Sequence, residues 1–251
     1  MAFCTGVFQT NIRLGIFHRL ISAIFLPGLF WAFSIPVYAL TLISSTSFNG
    51  SANMEDYSRG VVIDKDANIY IAGMVNANDS LDVGDIWVGK YDSNLILLSS
   101  TTLDGALGKS DEAIDIALDA SGNIYVAGMV ADGPVYWWNA WLGKYNSDLV
   151  LLSSMSISDV DGENWGVAVD TDTGNVYVTG QIYQSPFESP GGANNIWVGK
   201  YSSNLVLLSS VTLSGHVDCP YYECSWDRGQ DIVLDKNKNV YVTGFIAEDP
   251  E

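Results

Sequence analysis

An all-β fold of stacked, four-stranded antiparallel sheets is what this chain predicts, and three observations predict it. The sequence repeats itself, each repeat holds four short runs rich in Val, Ile, Tyr and Trp, and those runs do not alternate apolar with polar residues. The repeat period is roughly in the low-to-middle fifties, long enough for one four-stranded sheet per copy. Gly, Asn, Asp and Ser separate the runs, which reads as strands joined by turns. Runs such as IYVAGMV and LVLLSS are apolar at successive positions, as expected of sheets covered on both faces. Sheets stacked face to face around an axis meet that condition, and they form a β-propeller.

Each element has its copies. WVGKY at 87–91 returns as WLGKY at 141–145 and WVGKY at 197–201. A polar turn follows, then LILLSSTTL at 95–103, LVLLSSMSI at 149–157 and LVLLSSVTL at 205–213. A third element runs through an Asp-rich turn to a Gly: VVIDKDANIYIAG at 61–73, IALDASGNIYVAG at 116–128, VAVDTDTGNVYVTG at 167–180 and IVLDKNKNVYVTG at 232–244. The recurrent Gly73, Gly128, Gly180 and Gly244 point to a close approach of neighbouring backbones. Trp87, Trp141 and Trp197 hold the same place in each copy, which marks them as blade core.

The stretch Asp85 to Val130 resembles the bacterial seven-bladed β-propeller (SBBP-type) repeat family. Members of that family read roughly D-A-F-V-A-K-L, Y-S-T-Y-L-G-G, D-D and A-I-A-V-D-A-S-G-N-A-Y-V-T-G in succession. The matching residues are Asp85 to Tyr91, Leu98 to Gly105, Asp111 to Asp119 and Ser121 to Gly128, and the other copies repeat the match. Trp replaces Phe in the first element, and the double Gly after the apolar run is missing. The resemblance implies propellers on extracellular bacterial proteins and supplies no shared catalytic residues.

Residues 1–39 stand apart. Arg13, His18 and Arg19 precede an apolar core, no acidic residue occurs, and small residues end the stretch at Ala39. That pattern predicts a secretory signal peptide cut after Ala39, with an uncleaved anchor as the alternative. The expected place is therefore secreted or cell-surface, or the periplasm. Residues 40–251 are then the propeller: three full blades, half of a fourth, and an outermost-type strand at 42–48 that would close the ring. No third strand follows Ile246, so the ring is expected to be incomplete in this chain. Without 1–39, 9 basic residues face 29 acidic ones, a formal charge of −20. Such a surface repels phosphate backbones and anionic headgroups, which excludes nucleic-acid and membrane-surface binding.

Innermost to outermost, the strands of each copy are the IALD, IYVAG, WVGKY and LLSST types. The two hairpin turns are short. The two other connections are long, differ between copies, and fall on one face of the disc, where binding residues usually sit. Trp137, Trp138, Trp165, Tyr183, Phe187, Tyr221, Tyr222 and Trp226 lie in or beside those loops. Aromatic faces suit sugar rings or apolar protein patches, or they pack as satellite clusters over the blades. A second set lies near the mouth of the central channel: Asp56, Asp111 and Asp227, with Glu112 and Glu163 one place on from that position. These acids could bind a cation or hydrogen-bond loop amides, and the latter is favoured because three blades share the position.

Asp64, Asp66 and Asn68 have the spacing of a calcium loop, but Ile69 stands where such a loop wants Gly. A hairpin turn is the better reading, so the expectation is no cofactor, with calcium as the alternative. Cys219 and Cys224, six residues apart inclusive, read as a disulfide in an exported protein. No nucleophile elbow, zinc motif or phosphate loop occurs. The functional expectation is a non-catalytic binding or scaffold module for a protein or glycan, acting through the long-loop face. The alternatives are a polysaccharide hydrolase or lyase using the channel-mouth carboxylates, and a structural cell-surface repeat.

Overall fold

The computed structural model describes residues 6–11, 41–50, 55–76, 84–105, 109–131, 138–156, 162–184, 193–213 and 227–246. All regular elements among them are strands. After β1 (Gly6–Asn11) and β2 (Thr41–Ser47), which pair with each other, come the blades. Blade 1 is β3 (Tyr57–Ile63), β4 (Ile69–Asn76), β5 (Gly84–Tyr91) and β6 (Leu97–Leu103). Blade 2 is β7 (Glu112–Leu118), β8 (Ile124–Val130), β9 (Asn139–Tyr145) and β10 (Leu151–Ser156). Blade 3 is β11 (Gly162–Val169), β12 (Val176–Gln184), β13 (Ala193–Tyr201) and β14 (Leu207–Leu213). β15 (Arg228–Leu234) and β16 (Val240–Phe245) form the two-stranded start of a fourth.

Each full blade is an antiparallel meander in chain order, and the first strands pack side by side: β3 against β7, β7 against β11, β11 against β15. That is a β-propeller of four-stranded antiparallel blades, and the described strands form an open arc rather than a closed ring. β2 is hydrogen-bonded to β1 and to no blade among the described residues. β1 itself falls inside the segment expected to be a signal peptide.

Side chains close the turns. Asp64 Oδ1 accepts the backbone N–H groups of Asp66 (2.9 Å) and Asn68 (2.8 Å), and its Oδ2 accepts from Asn68 Nδ2. Asp119 and Asp235 repeat this pattern with Ser121 and Asn123, and with Asn237 and Asn239. In the other hairpin Asp92, Asn146 and Ser202 play the same part. Leu95, Leu149 and Leu205 there adopt left-handed backbones, with φ of 64, 62 and 61°. That conformation costs a leucine about 1–2 kcal/mol, and the burial of all three side chains offsets it.

The cores lie between blades. One unites Tyr70, Ile86 and Val88 of blade 1 with Ile116, Val126, Trp141 and Tyr145 of blade 2. The next unites Tyr125 and Leu142 with Val167, Val178, Trp197 and Tyr201 of blade 3. Each Trp therefore faces the preceding blade. Trp87 faces Phe48 instead, stacked at 4.2 Å between centroids. Second and third strands of the three full blades are largely buried on both faces as expected, whereas β16 is exposed, and so are the outermost strands: Leu97, Leu98, Leu151, Leu152, Leu207 and Leu208. Their apolar runs signalled β-propensity rather than coverage.

Two kinds of glycine are needed. A Cβ on Gly73, Gly128 or Gly180 would meet the carbonyl oxygen of Tyr57, Glu112 or Glu163, the latter two at 2.0 and 1.8 Å. The close approach is thus within a blade, where each first strand carries a bulge opposite the Gly. Between blades the position after the bulge alternates: Gly60, Asp115, Gly166, Asp231. A Cβ on Gly60 would lie 3.0 Å from Ile116 N, and one on Gly166 3.0 Å from Asp231 Cα. Asp115 instead reaches into the next blade, where its Oδ2 accepts the Val167 N–H at 2.7 Å.

Burial pushes the Asp115 carboxyl up to about 6 against the pull of the Val167 and Ile116 amides, with Asp231 adding repulsion. A pKa raised by folding means stability that is full below the unfolded value near 4 and lost as pH rises through 6. Compared with Asp115→Asn, which cannot ionise, the wild type should gain roughly 2–3 kcal/mol in unfolding free energy between pH 7 and pH 4. Denaturant unfolding of both proteins across that range measures it. A difference that does not change with pH would contradict it.

Candidate functional site

The long-loop face is the end of the disc where second strands finish and third strands begin. Here the starts of β7, β11 and β15 are tied to the preceding blade. The backbone N–H of Asp111 donates to Gly84 O (2.6 Å), that of Gly162 to Trp138 O (2.8 Å), and that of Asp227 to Asn194 O (3.1 Å).

The acids expected at the channel mouth reinforce the tie. Asp56 Oδ2 accepts the Gly50 N–H at 2.7 Å and Oδ1 the Asn76 N–H at 2.9 Å. Asp111 does the same one repeat later, accepting the N–H groups of Gly105 and Ala131. Each carboxylate thus pins the incoming loop to the end of its own second strand. Asp227 is buried at the equivalent place. Glu112 accepts from Arg59 Nε at 2.6 Å, a bond between blades 1 and 2. Glu163 accepts from Trp165 Nε1 (2.8 Å) and Gln181 Nε2 (3.1 Å).

The aromatics divide. Trp165 occupies the bulge of β11 and carries the Arg228 guanidinium 3.9 Å over its ring, so it joins blade 3 to β15. Trp138 is 40% exposed, and its indole N–H donates to Ser110 O at 3.2 Å. Tyr183 lies in β12, but its side chain is outside the described residues, as are Trp137, Phe187, Tyr221, Tyr222, Trp226 and the Cys219–Cys224 pair.

One recurrent feature of the repeats gains a partner that sequence reading missed. Lys90 Nζ donates to Ser147 O (2.9 Å) and Lys144 Nζ to Ser203 O (2.8 Å), each reaching the hairpin of the next blade. The lysines also lie over Tyr70 and Tyr125, at 5.5 and 5.4 Å. Lys90 and Lys144 are therefore straps between blades, while Lys200 lies over Tyr177 of its own blade at 5.4 Å.

Possible cation ligands fall into two sets. The turn aspartates have their oxygens filled by amides of their own hairpins, and Asp170 is held at about 2, chiefly by Lys238 Nζ and Thr173. Asp85, Asp104 and Asp111 form the other set, with one oxygen of each within 4.8 Å of the others.

With the blades and their ties in place, the comparison with known families decides the type of repeat. Residues 101–129 match the SBBP β-propeller repeat model. That stretch is similar to an SBBP-type repeat. The matched span runs from the end of β6 through β7 and β8, the section that holds Asp111, Asp115 and Gly128. No curated protein matches the chain. Among solved structures, the tail fiber of Staphylococcus aureus phage P68 is similar at 14% identity and a TM-score of 0.29. The match covers 74% of this chain and 46% of that one, so this chain spans less than half of that fibre chain's length. The likeness to the SBBP repeat bears on the blade architecture and names no functional residue.

Proposed function

We propose that this chain is a non-catalytic binding module that takes a protein or glycan on its long-loop face, outside the cytoplasm. The observation that carries the reading is how Asp56, Asp111, Glu112 and Glu163 are used: Asp56 and Asp111 hold loops, Glu112 joins two blades, and Glu163 joins two strands of one blade. Carboxylates tied up in this way are poor general acids or bases, since catalysis needs one of them free to exchange a proton with substrate. A rigid scaffold with long, variable loops and an exposed Trp138 is what recognition requires. Residues 1–39 serve as the export signal in this reading. No helix among the described residues is long and apolar enough to cross a membrane.

The test is a panel of soluble polysaccharides examined by affinity electrophoresis with reducing-sugar assays in parallel. At least one should retard the protein, with Trp138→Ala weakening the effect about tenfold, in the range of a lost stacking aromatic. Release of reducing ends would overturn the non-catalytic reading. Binding untouched by Trp138→Ala would remove the ligand from this face.

A further inference from the structure

Three carboxylates meet at the junction of blades 1 and 2. Asp85 lies at the start of β5, Asp104 follows β6 and Asp111 precedes β7, and one oxygen of each lies within 4.8 Å of the others. The repeats show that the fold does not need them together. The place of Asp85 is taken by Asn139 and Asn195 in the next two copies, and that of Asp104 by Ser158 and Ser214. Asp111 corresponds to Gly162 and Asp227. The second junction therefore carries no acid at these places and the third carries one. Acids fill all three of these places at one junction out of three, although the second junction has Asp159 and Asp161 elsewhere in its loop.

Asp85 gives the independent sign of a ligand. It is only 8% exposed and, among the described residues, its side-chain carboxylate accepts no hydrogen bond. Burying a carboxylate with no donor is strongly unfavourable, and two more acids beside it increase the cost. Burial raises its pKa, with Asp104 adding to the effect, and Asp111 is raised by burial as well. Asp111 differs in that each oxygen already accepts one amide. Each such oxygen keeps a second lone pair, so it can hold a cation without releasing its loop. Asp104 is exposed and opens the cluster to solvent.

We propose that Asp85, Asp104 and Asp111 bind a calcium ion, with water completing the shell on the Asp104 side. Anionic oxygen donors without thiolate or imidazole select a hard cation, and calcium accepts the irregular geometry that such a junction offers. The ion would join β5, the loop after β6 and the entry to β7, stiffening the long-loop face from beneath. Trp138 hangs from Ser110, the neighbour of Asp111, so its orientation would be coupled to the ion.

The test uses the full chain, stripped with chelator and titrated with calcium chloride alone in a calorimeter, with melting followed in parallel. One calcium per chain should bind and raise the melting temperature. Asp85→Asn and Asp104→Ser install the residues that the other blades already carry, so both should fold. Each should weaken calcium binding about tenfold or more, and neither should melt below the wild type in chelator. Absence of a calcium response in the wild type at millimolar concentration would overturn the proposal. So would wild-type affinity in Asp104→Ser, an exposed position whose replacement leaves the core untouched.

Discussion

Gly128→Ala should cost about 3–5 kcal/mol of unfolding free energy, more than a substitution of one methyl group would suggest. The added Cβ would sit 2.0 Å from the carbonyl oxygen of Glu112 and 3.0 Å from Ala113 Cα. Both are backbone, so no side chain can swing aside. Relief requires pushing β7 off β8 at its bulge, which also displaces Asp111, Glu112 and the seam with blade 3. Domains of this size hold only about 5–15 kcal/mol, so blade 2 would be near its limit. Gly122→Ala is the control. Its φ is +81° and nothing lies within 4 Å, so only local strain of about 1 kcal/mol is expected. Denaturant unfolding of the pair gives the answer, and equal costs would contradict the account.

Trp141→Ala should come next, at about 3–5 kcal/mol. The ring is buried and lies across Gly143 of its own strand, where an added Cβ would meet its Cη2 at 2.2 Å. From there it packs into the core shared with Tyr70, Ile86 and Val88 of blade 1. Its removal opens a seam rather than a hole within one sheet. The expected signature is loss of protection in amide exchange at both β4 and β8. Loss confined to blade 2 would show that the two blades are not energetically joined through this residue.

Much of this architecture was legible because a repeat displays each element several times. Strand order, turn positions and the place of the tryptophans all follow from copies that agree. What could not be read were contacts whose partner is backbone. Lys90 reaches a carbonyl 57 positions away, and a carbonyl leaves no mark in a sequence. Gly128 was legible as a close approach, yet the strand it meets is its own neighbour and not the next sheet. The reverse error came from the outer strands, where apolar runs at Leu97–Leu98 and Leu151–Leu152 suggested covered faces and are exposed. The Asp85 cluster had a usable signal: in the aligned copies an acid stands where the others have Asn. Comparing copies for agreement hid it, because the information lay in the disagreement.

The alternation of Gly60, Asp115, Gly166 and Asp231 fixes a parity in the array. Delete blade 2, and Gly60 would face Gly166, leaving the Val167 N–H without the carboxylate that now accepts it. Delete blade 3, and the Asp115 carboxyl would press against a strand that carries Asp231, putting two acids at a seam built for one. Losing two neighbouring blades restores a glycine facing an aspartate. A gene that grows or shrinks by unequal crossing-over therefore keeps sound joints when it changes by an even number of units, and a census of such genes would show the count stepping in twos.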